Sequence, residues 1–246
     1  MLKKRLGAVV FVKNNLVVQS IGFNKYLPIG KPETVIKNLD VWGADEIILL
    51  NYDSVNSKKP DFELIEKISD LNIRTPLIYG GGIRNVKDAV NCIKHGSDRI
   101  VINQIYFKDV LQIKKISEII GKESLVLSLN ANLVKKKIFI YDYLRKNQKE
   151  INQKELENIY KDYISEIFLT DYKNEGKKSA FDFNLLKNKI FKNKKILAYG
   201  GINTIAQYRR LFRYKNVSSV ILGNCLNYKE SSIFNIKKEC KYGFRK

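Results

Sequence analysis

The chain has 246 residues, of which 44% are hydrophobic, and 45 Lys and Arg against 25 Asp and Glu give a formal net charge of +20. That length and apolar fraction fit one large α/β domain with a core of its own. No apolar run reaches the roughly eighteen residues that a membrane-spanning helix needs.

In chain order, Leu6 to Val12 reads as a first buried strand. The apolar stretch after Met1-Leu2-Lys3-Lys4-Arg5 is too brief for a signal peptide, so a cytoplasmic location is expected. Leu16-Val17-Val18 is a second apolar piece, and Gly22 to Lys31 reads as a long loop. Pro32 opens a helix with Val35, Ile36 and Leu39 on its apolar face. Glu46 to Asn51 is a strand of the fully buried type. A helix from about Asp61 carries Phe62, Leu64, Ile65 and Ile68. Leu77-Ile78-Tyr79 then runs into Gly80-Gly81-Gly82, and the following helix shows Val86, Ala89, Val90 and Ile93 before ending near Gly96.

A fourth strand, Arg99 to Ile102, ends at Asn103; a helix covers about 108–120; Ser124 to Asn130 is the fifth strand. The basic segment Lys135 to Lys149 reads as a hairpin excursion, followed by a helix through Leu156 and Ile159. Glu166 to Asp171 is the sixth strand. Helices around 181–190, 204–213 and 230–237 flank two last strands at Leu197-Ala198-Tyr199 and Val220-Ile221-Leu222. Eight buried strands alternating with helices predict parallel βαβ units.

The chain also repeats itself at an offset of about 120 residues, near half its length. Glu46-Ile47-Ile48-Leu49-Leu50 matches Glu166-Ile167-Phe168-Leu169-Thr170, Gly81-Gly82-Ile83 matches Gly200-Gly201-Ile202, and Asn103 matches Asn224. The expected fold is therefore an α/β (βα)8 TIM barrel of two half-barrel repeats, roughly 1–122 and 123–246, with an open doubly wound sheet as the alternative.

Chemistry in such a barrel belongs at the C-terminal ends of the strands. Glycines there let a phosphate approach backbone N–H groups with no Cβ in the way. The duplicated turns predict a small molecule with a phosphate at each end, one held at Gly81, Gly82 and Asn103, the other at Gly200, Gly201, Gly223 and Asn224. Cys92, Cys225 and Cys240 have no metal spacing, so reduced thiols, no metal and no cofactor are expected. His95, with no nucleophile near it in sequence, reads as a surface helix residue. The basic residues are scattered, which suits steering of anions better than nucleic-acid binding. The Lys135–Lys149 segment carries no glycine-spaced aromatic motif for stacking bases.

Over nearly its whole length the chain resembles the cyclase subunit of imidazole glycerol phosphate synthase, the HisF family. The resemblance rests on Lys4-Arg5, Val12-Lys13-Asn14, Asp45-Glu46, Gly80-Gly81-Gly82-Ile83, Gly96-Ser97-Asp98-Arg99 and Ile102-Asn103. It continues through Glu166-Ile167 with Thr170, Gly176 with Ser179 and Asp182, and Gly200-Gly201. It implies a barrel whose top face binds a substrate with two phosphates, with Gly176 added to the second phosphate site. It also implies a bottom face that docks a glutaminase near Asp98 and admits ammonia through a charged gate of Arg5, Glu46, Arg99 and Glu166. Arg99 stands where the family usually has Lys.

The family's two catalytic aspartates fall on Phe11 and Asn130, neither of which can titrate usefully. A family lysine falls on Gln19 and a further aspartate on Asn51. Asn130, Asp171 and Glu175 remain as candidate catalytic residues. The pattern resembles diverged relatives that work beside an amidotransferase-like, sugar-modifying protein in surface-polysaccharide or flagellar-sugar amidation. The alternatives are an authentic histidine-pathway cyclase and a non-catalytic activator or scaffold of the glutaminase.

Overall fold

The computed structural model describes residues 4–228, 230 and 232–240. Its strands are β1 (Arg5–Lys13), β2 (Leu16–Ile21), β3 (Lys25–Gly30), β4 (Ile47–Asn51), β5 (Leu77–Gly80), β6 (Arg99–Ile102) and β7 (Leu125–Val134). β8 (Lys137–Asp142), β9 (Asn147–Glu150), β10 (Glu166–Asp171), β11 (Ile196–Tyr199) and β12 (Val217–Leu222) follow. Parallel pairing runs β1-β4-β5-β6-β7-β10-β11-β12 and returns to β1 through Arg5↔Ser219 to Ala8↔Leu222. This is a closed eight-stranded barrel with helices between its strands, as the alternating pattern predicts.

Parallel strands covered on both faces read as continuous apolar runs, because alternate side chains enter two different cores. Leu6, Ala8 and Val10 of β1 face the helix layer, while Val9 and Phe11 face inward. The inner cluster includes a residue from every barrel strand, Val9, Ile48, Ile78, Val101, Val126, Phe168, Leu197 and Ile221, with Phe11 and Tyr199 beyond them. Helix starts follow local capping chemistry. Thr204 and Gln207 form a reciprocal capping box at the helix Ile205–Phe212. Thr204→Ala is expected to cost about 1 kcal/mol, read as a lower urea midpoint with unchanged slope.

Two antiparallel hairpins leave the barrel. β2–β3 continues from β1, and β8–β9 continues from β7, so each departs from the strand opening one half of the chain. The second hairpin is the expected excursion. The first is a correction: Lys25–Gly30 is a strand, not a loop. Its sequence hides this, since it is a mostly exposed edge strand that tolerates Pro28. The helix expected at 181–190 shrinks to Asn184–Lys187. Asp182 Oδ1 accepts from Asn184 N at 2.9 Å and Asn188 Oδ1 from Ile190 N at 3.1 Å, local side-chain turns that compete with a longer helix.

Candidate functional site

At the N-terminal ends of the strands the four charged residues singled out in the sequence meet in a ring. Arg5 Nε donates to Glu46 Oε1 at 3.1 Å, and its NH2 to Glu166 Oε1 at 2.6 Å. Arg99 NH1 donates to Glu166 Oε2 at 2.8 Å and lies 4.0 Å from Glu46 Oε2. Ser218 Oγ also donates to Glu166 Oε1, at 2.6 Å. Glu46 and Glu166 are 3% and 4% exposed, so these carboxylates depend on their partners. Their environments differ. Burial pushes Glu46 up, beyond what Arg5 pulls down. Burial pushes Glu166 too, but Arg5, Arg99 and Ser218 together hold it below the ordinary carboxylate value.

Gly7, next inward from Arg5, makes room for the ring. A Cβ there would stand 2.7 Å from both Glu46 Cγ and Ile221 Cδ1. Gly7→Ala is expected to overpack this layer by about 1–3 kcal/mol, measured as lost thermal stability. Asp98 is exposed at the same end, with Oδ2 accepting from Leu77 N at 2.8 Å.

At the opposite end the strands open into a cavity of about 960 Å³. Gly80, Gly81, Gly82, Arg84, Asn103 and Gln104 border one side of it. Gly81 and Gly82 have φ of 140° and 72°, a backbone that L side chains avoid. A Cβ on Gly82 would also meet Lys59 and Pro60 backbone at 2.3–2.7 Å. The bordering charges are Lys13, Arg84, Lys108 and Lys146 against Asp109, a strongly cationic rim. The other side is aromatic. Phe11 stacks on Tyr52 at 5.4 Å, Phe23 on Tyr172 at 6.1 Å and Tyr141 on Tyr172 at 4.2 Å. Lys13 Nζ lies 3.9 Å from the Tyr26 ring centroid.

The first glycine turn thus joins the cavity, with Gly81, Gly82 and Asn103. Gly176, Gly200, Gly201, Gly223 and Asn224 are absent from the described residues bordering it. The amides expected to serve as donors are both engaged: Asn103 Nδ2 donates to Ser128 O at 2.8 Å, and Asn224 Nδ2 to Ser20 O.

Of the catalytic candidates, Asn130 borders the cavity, as does Phe11 at the other former aspartate position. Asp171 and Glu175 do not. Asp171 Oδ2 accepts from Asn174 Nδ2 at 2.8 Å and Asp182 N at 2.7 Å. Glu175 accepts from Tyr199 OH at 3.0 Å, Phe23 N at 3.1 Å and Ser20 Oγ at 3.2 Å. Burial raises both pKa values against those hydrogen bonds. Gln19 pairs with Tyr228 away from the cavity, and Asn51 borders it while bonding Asp61 and Asp53. His95 lies at a helix end, stacked on Phe62 at 5.1 Å. Among the described residues no group of three or more His, Cys, Asp or Glu is placed to hold a metal. No described helix is long and apolar enough to cross a membrane.

Lys13, Lys108, Asp109 and the tyrosines of both hairpins were not foreseen as site residues. They reach the mouth from separate strands and loops, and nothing in their local spacing marks them.

A closed parallel barrel with its open cavity at the C-terminal strand ends is a (βα)8-barrel protein of the kind that carries chemistry in its βα loops. Within that class the chain belongs to the histidine biosynthesis protein family, which it matches over residues 5–232, as a HisF-type member. It is 33% identical over 195 residues to the Campylobacter jejuni protein named "Putative imidazole glycerol phosphate synthase subunit hisF2", covering 79% of this chain and 77% of that one. It is 28% identical over 240 residues to imidazole glycerol phosphate synthase subunit HisF of Pyrococcus furiosus, covering 96% and 95%. A Vibrio vulnificus protein named like the Campylobacter one is 29% identical over 237 residues, covering 95% and 84%.

Proposed function

We propose that this chain is the barrel subunit of a glutaminase-linked complex. It docks the glutaminase at its base, receives ammonia through the charged ring, and holds a phosphorylated small molecule at its mouth. It has left imidazole ring closure and serves amidation of a surface-polysaccharide or flagellar sugar, alongside a sugar-modifying amidotransferase-like protein. The observation that carries this reading is one barrel with two unlike ends. The base keeps Arg5, Glu46, Arg99 and Glu166 in a closed ring, while the mouth presents Phe11 and Asn130 where a cyclase needs acid and base. The relatives' printed description as synthase subunits supports a partner.

The direct experiment mixes the chain with its glutaminase and follows co-elution and glutamine hydrolysis. Association at micromolar concentration and faster hydrolysis are expected; absence of both refutes the docking reading. Arg5→Ala is expected to keep the stimulation while releasing ammonia to bulk solvent instead of to an acceptor. Stimulation with no ammonia delivery by the unaltered chain would favour a simple activator.

A further inference from the structure

The two hairpins lean over the mouth unequally. β8–β9 reaches the side of the first glycine turn, where Gln104, one residue past Asn103, donates through Nε2 to Asp142 Oδ1 at 3.2 Å. It leaves that turn open, since Tyr143, Leu144 and Lys146 border the cavity together with Gly81, Gly82 and Arg84. β2–β3 reaches other members of the second expected phosphate site, the loop after β10 and Asn224, and is bonded down on them. Gly22 N donates to Glu175 O at 3.2 Å, Phe23 N to Glu175 Oε2 at 3.1 Å, and Asn224 Nδ2 to Ser20 O. A Cβ on Gly176 would stand 2.7 Å from Ile21 Cα. Gly223 and Asn224 border a separate cleft of about 340 Å³, whose described lining holds Glu230 and no cation.

From this asymmetry we infer that the mouth binds a singly phosphorylated sugar, its one phosphate at Gly81, Gly82, Arg84 and Lys108 and its ring against the aromatic wall. The cationic rim supplies the attraction for one anion. Phe11 and Tyr52, stacked on each other, and Phe23 and Tyr172, stacked likewise, border the cavity as an apolar wall for the C–H side of a ring. Of the three buried side-chain atoms with no partner among the described residues, two, Thr170 Oγ1 and Gln104 Oε1, belong to residues that border this cavity, the third being Ser232 Oγ. Thr170 is only 1% exposed. Buried polar atoms are normally paired, so these two suit ligand hydroxyls. The inference rests on the anion-binding part of the proposed function and not on the glutaminase.

The test is calorimetric titration of the full chain with fructose 6-phosphate, fructose 1,6-bisphosphate and inorganic phosphate. The monophosphate is expected to bind at least as tightly as the bisphosphate, and about tenfold or more tighter than phosphate alone. Arg84→Ala with Lys108→Ala, both exposed positions, is expected to weaken the monophosphate by about tenfold or more. A bisphosphate about tenfold tighter than the monophosphate overturns this inference and leaves the phosphate reading standing. Failure of every phosphorylated probe overturns both, with the glutaminase reading still judged by co-elution.

Discussion

Supplied with the HisF substrate and free ammonium, this chain is expected to close the imidazole ring about 10⁴-fold or more slowly than a HisF with carboxylates at both strand ends. A positioned general acid or base contributes roughly 10²–10⁴-fold, and two are missing together. Phe11 is packed inward, 2% exposed, with Tyr52 nearly parallel to it at 7°. Asn130 offers an amide, which neither takes nor gives a proton at useful cost. Among the described residues bordering the cavity the one carboxylate is Asp109, whose Oδ1 caps a helix by accepting from Leu111 N at 3.1 Å. Asp171 and Glu175 are bound into the walls. Steady-state product formation is the measurement. A rate within about tenfold of such a HisF would refute the expectation, and so would growth of a histidine auxotroph lacking its cyclase.

The second large effect lies at the base. Glu166→Gln is expected to destabilise the barrel by about 3–5 kcal/mol, because it strips two partly buried guanidinium groups of their shared, buried counter-charge. Glu166 bridges Arg5 at 2.6 Å and Arg99 at 2.8 Å, whereas Glu46 reaches Arg5 at 3.1 Å and Arg99 only at 4.0 Å. Glu46 therefore cannot take over both cations. Equilibrium urea unfolding at neutral pH measures the loss; a change below about 1 kcal/mol would mean the ring behaves as a surface pair.

The two carboxylates also predict opposite pH trends. Glu166 is held below its ordinary value of 4.5, so its stabilisation is complete above pH 4.5 and is lost as pH falls through its lowered folded value. Glu46 is raised above 4.5, so the cost of keeping it ionised is full above its folded value and is relieved as pH falls toward 4.5. The unaltered chain should therefore lose stability below pH 4.5 more steeply than Glu166→Gln.

The barrel strands were legible because burial on both faces leaves continuous apolar runs, and β4 and β10 fall within a residue of their expected bounds. The charged ring was legible through the family resemblance, which picked out four charges at strand starts. The mouth was less so. A repeat in sequence implies equivalent halves, yet the contacts of β2–β3 with the second expected phosphate site join residues as far apart as Ser20 and Asn224. Local spacing carries no trace of such a contact. β3 was missed for the same reason, its partner β2 being the only thing that makes Lys25–Gly30 extended.

The belt of eight apolar side chains inside the barrel sets a condition on any nitrogen species that crosses it. An ammonium ion would shed its hydration there with nothing to replace it, at a prohibitive cost, whereas uncharged ammonia carries no such penalty. On the proposed ammonia route, what emerges would be a free base. The lysines and arginine around the mouth would then oppose its reprotonation, since a new cation beside Lys13, Arg84, Lys108 and Lys146 is repelled. The lumen and the rim together would deliver nitrogen with its lone pair available for attack.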